Sequence, residues 1–134
     1  MHTVYLSLGS NLGYKQLNIM HAVGLIATRI GKIKKLSELH ETEPWGFSSE
    51  NMFVNAAVCI ETELSPRELL TATKEIEKKL GRSCKSSGGE YKDRVIDIDI
   101  LIYDDIKVDE PDLKIPHPLM TERDFVMIPL SEIK

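Results

Sequence analysis

An α+β fold, an antiparallel sheet with helices packed on it, follows from three features of this sequence. Two stretches, near residues 14–30 and 66–80, repeat apolar residues at helical spacing. Four others alternate in apolarity or concentrate β-branched residues, as strands do. The two kinds follow one another as β-α-β-β-α-β, the split βαβ, ferredoxin-like order with two helices on one sheet face. The 134 residues suit a single domain over 1–134, and 42% apolar content supplies one ordinary core.

Val4, Leu6 and Leu8 alternate with Tyr5 and Ser7, giving the first strand, and Gly9-Ser10-Asn11 is expected to break it into a tight loop. Leu17, Met20, Val23, Ile26 and Ile30, flanked by Ile19, Ala22 and Ala27, mark the first helix, with Gly31 in the C-cap position. Residues 33–39 and 52–62 read as strands, separated by a long loop over 40–49. Ser65-Pro66-Arg67-Glu68 starts the second helix: Ser65 caps, Pro66 suits the first turn and Glu68 completes a capping box. Leu69, Leu70, Thr73, Ile76 and Leu80 form its buried stripe, closed by Gly81. Residues 85–92 are polar and glycine-containing, hence a loop, and 95–103 return to strand. The rest, 104–134, is expected to be a tail with proline turns at Pro111 and Pro116-His117-Pro118, packed along the sheet edge.

A formal charge of −4 and a pI near 5.6 exclude a protein built chiefly to neutralise nucleic-acid phosphates. Basic residues do gather locally, at Lys74, Lys78, Lys79, Arg82, Lys85, Lys92 and Arg94, either as a solvated helix end or as an anion site. Cys59 and Cys84 lack CxxC spacing and the four histidines form no HxxxH pair, so zinc has no framework, and reduced thiols in the cytoplasm are expected. No stretch reaches the roughly 20 apolar residues of a membrane span, and no basic segment with an apolar run opens the chain.

Asp97 and Asp99 stand at i and i+2 in a strand, on one face, with Cα atoms about 6.6 Å apart. Aspartate is disfavoured in strands, and a like-charged pair needs a cation or donors nearby. Magnesium accepts a few carboxylates plus water and phosphate oxygens, which fits a pair with no other ligand close in sequence; an acidic exposed face is the plainer reading. Arg82 and Arg94 flank the pair and offer planar, paired donors for phosphate. Together they suggest phosphoryl-type transfer, although no GxxxxGK[ST] loop is present. Trp45, Phe53 and Phe125 stand out in a chain only 6% aromatic. With Thr42 near Trp45, and Asn55 on the strand face of Phe53, they either stack a planar heterocycle or belong to the core.

Several segments, in content, order and spacing, resemble the hydroxymethyldihydropterin pyrophosphokinase family over nearly the whole chain. These are Leu6-Ser7-Leu8-Gly9-Ser10-Asn11-Leu12-Gly13, Phe53-Val54-Asn55-Ala56-Ala57, and Glu77 with Gly81-Arg82. Asp93-Arg94 through Asp97-Ile98-Asp99-Ile100-Leu101, Pro116-His117-Pro118 and Arg123-Asp124-Phe125 complete the set.

The resemblance implies transfer of the terminal diphosphate of ATP to the hydroxymethyl group of 6-hydroxymethyl-7,8-dihydropterin, leaving AMP, in folate biosynthesis. It implies that Asp97 and Asp99 hold two magnesium ions, and that Arg82 and Arg94 clamp phosphates. Glu77, Lys85, Tyr91, Ile100, His117 and Arg123 would join those arginines in the ATP site. Phe53 and Phe125 would sandwich the pterin, Asn55 would hydrogen-bond it, and Thr42, Pro44 and Trp45 would supply further contacts. The loop at 85–92 would close over the reaction. It departs from the family's commoner pattern: Cys84 and Glu90 stand where many relatives carry arginine, Tyr91 where they carry tryptophan, and the loop is about two residues longer. Lys85 or Lys92 is a candidate to replace the charge. Many relatives continue beyond the position of Lys134, but every matched site residue precedes it. ATP and the pterin are the expected partners of a monomer, without nucleic acid or membrane. The competing readings are a non-catalytic ferredoxin-like module that binds a small regulatory ligand, and a magnesium nuclease or phosphatase; pterin-dependent AMP formation separates both.

Overall fold

The structure is a computed structural model that describes residues 1–43, 52–81 and 95–134. Its main sheet is antiparallel throughout. Strands β1 (His2–Ser10), β2 (Gly31–Leu36), β4 (Phe53–Thr62) and β5 (Asp97–Tyr103) lie in the order β2-β4-β1-β5, and the short β3 (His40–Thr42) pairs with β4 beyond the end of β2. Helices α1 (Lys15–Arg29) and α2 (Pro66–Lys79) complete the expected βαββαβ frame.

The strands form where the alternation is strongest, because one face is driven into the core. Val4, Leu6 and Leu8 of β1, Val54, Ala56, Val58 and Ile60 of β4, and Ile98 and Ile100 of β5 pack with α1 and α2 in one buried cluster. Each large side chain in it contributes about 1.5–3 kcal/mol by leaving water. Ser65 accepts the Glu68 N–H, and Glu68 reaches back to the Ser65 N–H at 2.9 Å, the capping box expected from the sequence. Gly81 ends α2 with φ +122°.

Three local expectations change. The buried stripe of α1 is Ile19, Ala22, Val23 and Ile26, whereas Leu17 and Met20 are exposed: an apolar-rich helix offers two plausible phases, and the sheet selects one. Gly31 is no left-handed cap but the first residue of β2, where a Cβ would fall 2.0 Å from the Glu61 carbonyl oxygen. Gly9 and Ser10 do not break β1; they extend it and pair with Asn55 and Val54.

The tail departs most. It does follow the β5 edge at first: β6 (Val108–Glu110) and β7 (Leu113–Ile115) form a hairpin, and the His117 N–H donates to the Leu101 carbonyl at 2.9 Å. Arg67 of α2 clasps this hairpin through Glu110 and Asp112. A 3-10 turn (Met120–Glu122) then leads into a third helix, α3 (Asp124–Ile133), on the sheet face opposite α1 and α2. Val126, Leu130 and Ile133 pack there against Ala57, Cys59 and Leu101 in a second core. Pro129 inside so short a segment argues against a helix in sequence, yet as the sixth of ten residues it forfeits one intrahelical bond, the one its N–H would give the Phe125 carbonyl. Ten residues of α3 extend about 15 Å, roughly the width of the four strands β5, β1, β4 and β3 that it crosses.

Candidate active site

Two of the residues singled out for chemistry, Asn55 and Asp97, lie in one row on the second face of the sheet. Because Gly9 is in register with both Asp97 and Asn55, and Asn55 with His40, the Cα partners run Asp97–Gly9–Asn55–His40 across β5, β1, β4 and β3. The next row places Asp99 beside Ser7 and Ser7 beside Ala57. Asp97 and Asn55 are two strand spacings apart, about 10 Å. Gly9 lies between them and contributes no side chain, and the Asn55 and Phe53 side chains stand beside the space a Cβ would take. A Cβ there would approach Asn55 Oδ1 to 2.9 Å and Phe53 Cδ1 to 3.6 Å. Gly9 is therefore a candidate site residue to which the sequence reading gave no role; its position in register with both Asn55 and Asp97 becomes visible only once the strands are paired.

Asn55 is buried, and its Nδ2 donates to Thr42 Oγ1 at 2.6 Å. With the amide nitrogen so engaged, Oδ1 is the atom turned over Gly9. Thr42 pairs with Phe53, which puts both at the rim of the same face. Phe125, in the first turn of α3, packs on the second core, and the Arg123 guanidinium carbon stands 5.6 Å from its ring centroid.

A second depression, about 310 Å³, opens at the outer edge of β5. Glu77, Asp97, Asp99, Ile100 and His117 line it, together with Thr73 and Lys74 of α2 and Lys114 of β7. Glu77 is 4% exposed and accepts the Ile98 N–H at 2.7 Å, so a buried carboxylate fixes the strand segment between the two aspartates. Burial pushes the His117 imidazole below its ordinary pKa, the Arg123 charge adds to that, and the Asp97 carboxylate works the other way. His117 is consequently a neutral hydrogen-bonding group near neutral pH. Arg123, 5% exposed, is the fixed cation beside it.

Asn55, Asp97 and Asp99, with Thr42 and Phe53 in the row beside Asn55, thus lie on the sheet face; Glu77, Asp97, Asp99, Ile100 and His117 line the adjoining depression, and Arg123 and Phe125 stand together at the start of α3. Pro44, Trp45, Arg82, Lys85, Tyr91 and Arg94 lie outside the described residues. Among the described residues no three His, Cys, Asp or Glu side chains gather to hold a metal. Two same-face aspartates remain a fitting donor set for magnesium, which leaves its other positions to water and phosphate oxygens.

Comparison with known proteins gives the family and the fold. The family model of 7,8-dihydro-6-hydroxymethylpterin-pyrophosphokinase (HPPK) matches residues 5–134. The chain is 50% identical to the 2-amino-4-hydroxy-6-hydroxymethyldihydropteridine pyrophosphokinase of Porphyromonas gingivalis, with 99% of this chain and 91% of that one aligned. The enzyme of the same name from Aquifex aeolicus is 40% identical over all of this chain and 81% of its own. A crystal structure of Plasmodium falciparum HPPK-DHPS shares the fold, with a TM-score of 0.78 at 18% identity over 98% of this chain; the chain spans 41% of that longer protein. On this evidence the chain belongs to the 7,8-dihydro-6-hydroxymethylpterin-pyrophosphokinase family.

Proposed function

We propose that this chain transfers the terminal diphosphate of ATP to the hydroxymethyl group of 6-hydroxymethyl-7,8-dihydropterin, releasing AMP, in a magnesium-dependent step of folate biosynthesis. The observation that carries the reading is the in-register row Asp97–Gly9–Asn55, which separates a ring-reading amide from a pair of carboxylates by about the length of a bicyclic heterocycle. The pterin would lie over Gly9. Asn55 Oδ1, oriented by the bond from Nδ2 to Thr42, would accept N–H groups of the ring, and Phe53 and Phe125 would cover its faces. The hydroxymethyl group would then point toward Asp97.

ATP would enter from the β5 edge, where Glu77, Ile100 and His117 line the depression and Arg123 supplies positive charge for phosphate oxygens. Asp97 and Asp99 would hold magnesium, two ions in this reading, which when bound neutralises charge developing on the phosphates. A neutral His117 can donate a hydrogen bond to phosphate without itself gaining charge. Arg82 and Arg94 would complete the phosphate clamp, with Lys85 and Tyr91 beside the nucleotide and Pro44 and Trp45 beside the pterin. The chain's own contribution is positioning: both substrates meet at one pair of carboxylates whose strand is held by Glu77.

The test is ATP labelled at the β-phosphorus, supplied with magnesium and the pterin. Label should move into the pterin product and leave AMP unlabelled. Label recovered in ADP, or in free phosphate regardless of pterin, contradicts diphosphate transfer.

A further inference from the structure

The row continues one strand beyond Asn55, to His40 on β3, and there it meets the end of α3. Glu132, next to last in that helix, places one carboxylate oxygen 2.8 Å from the Glu38 backbone N–H, as acceptor, and the other 2.6 Å from His40 Nε2. Both side chains are about one-third exposed, and the backbone donor from Glu38, with His40 adding to it, holds the Glu132 carboxyl below its usual range. One side chain thereby bridges the two residues that bracket the start of β3. That strand carries Thr42, whose hydroxyl orients the Asn55 amide. The other end of the same helix carries Phe125.

We propose that Glu132 is a positioning residue for the pterin: it locks α3 to β3, and so fixes Phe125 on one side and the Thr42–Asn55 pair on the other at the separation a flat ring needs. The inference rests on the reading of the row as the pterin site. A helix that only needed anchoring has Val126, Leu130 and Ile133 buried beneath it. The Glu132 bridge adds no burial; it sets the lateral position of β3, a strand of three residues that among the described residues pairs on one side, to β4. A short strand paired along one edge shifts at little energetic cost, so a second tether at its start has a purpose that hydrophobic packing does not serve.

Binding of 6-hydroxymethyl-7,8-dihydropterin and of a non-hydrolysable ATP analogue, measured separately with melting temperatures and turnover, tests this in the wild type, Glu132→Ala, Glu132→Gln and His40→Ala. Glu132→Ala should weaken pterin binding about tenfold and raise the pterin KM in step, with kcat at saturating pterin and ATP-analogue binding within about twofold. Glu132→Gln, whose amide keeps an oxygen for the Glu38 N–H and a polar group of the same size beside the His40 ring, should recover most of the loss. Pterin binding unchanged in Glu132→Ala, or pterin and nucleotide binding lost together with the melting temperature, overturns the proposal. If Glu132→Ala does not fold, His40→Ala decides: weaker pterin binding alone supports the clamp, and wild-type binding contradicts it. A wild-type chain that binds the nucleotide but no pterin overturns the reading of the row and the clamp with it, whereas wild-type binding equalled by Glu132→Ala overturns the clamp alone.

Discussion

Gly9 occupies the middle of the candidate site's row without contributing a side chain. It separates Asp97 from Asn55, and the Cβ of alanine would press on Asn55 Oδ1 at 2.9 Å. Gly9→Ala should therefore weaken pterin binding by about tenfold or more while ATP-analogue binding and the fold persist, because the new methyl occupies the ring's floor. Calorimetry on both ligands checks this, and equal pterin affinity in the variant would remove Gly9 from the site. Asp97 and Asp99 were legible in sequence because charge in an apolar strand needs a reason, and register merely gave them neighbours. Gly9 was not, since a glycine before Ser10-Asn11 is chemically the start of a turn until a partner strand is known to continue alongside it. Asp97→Asn and Asp99→Asn should each lower turnover about a hundredfold or more with circular dichroism unchanged, since each amide retains size but loses the charge that, in the proposed reading, would hold metal. Near-normal turnover in both would displace the metal from this pair.

The elements differ in how openly they announce themselves. Helix α2 was readable because its boundary chemistry, Ser65, Pro66 and Glu68, acts within four residues and needs no tertiary partner. The phase of α1 and the existence of α3 were not, because the sheet decides which side of α1 is buried and because Pro129 conceals the period of Val126, Leu130 and Ile133. The junction of β5 with β1 carries a pH dependence of its own. Asp104, at φ +48°, accepts the Thr3 N–H at 2.7 Å, and His2 Nδ1 lies 2.8 Å from its other carboxylate oxygen. First the Thr3 donor and then His2 hold the Asp104 carboxyl below its usual value. A depressed carboxyl adds stability that is present above its unfolded pKa, about 4, and is lost as pH falls through the lower folded value. Urea midpoints of the wild type should thus fall below about pH 4, and Asp104→Asn, which tolerates the same backbone conformation, should lose part of that slope. Identical pH profiles would mean that Asp104 contributes nothing to it.

At the scale of the whole molecule the sheet divides the work. One face, with α1 and α2, is almost wholly apolar core; the other is packed by α3 only in part and carries the row of site residues. Most of the frame was legible because alternation reports which residues must leave water. The outer covering of the second face was not, because it depends on a tail whose two proline turns suggest irregular chain. In the proposed reading the pterin would lie on a face and the nucleotide at an edge, with Asp97 and Asp99 common to both. Substitutions at Gly9 should consequently spare the nucleotide. That two-substrate convergence on one carboxylate pair is the central claim. Its most direct test is the rate of AMP release from ATP and magnesium, with and without 6-hydroxymethyl-7,8-dihydropterin, in the wild type and in Asp97→Asn. AMP should form only when pterin and magnesium are both present, and Asp97→Asn should nearly abolish it. AMP released at the same rate without pterin, or undiminished in Asp97→Asn, would contradict the account.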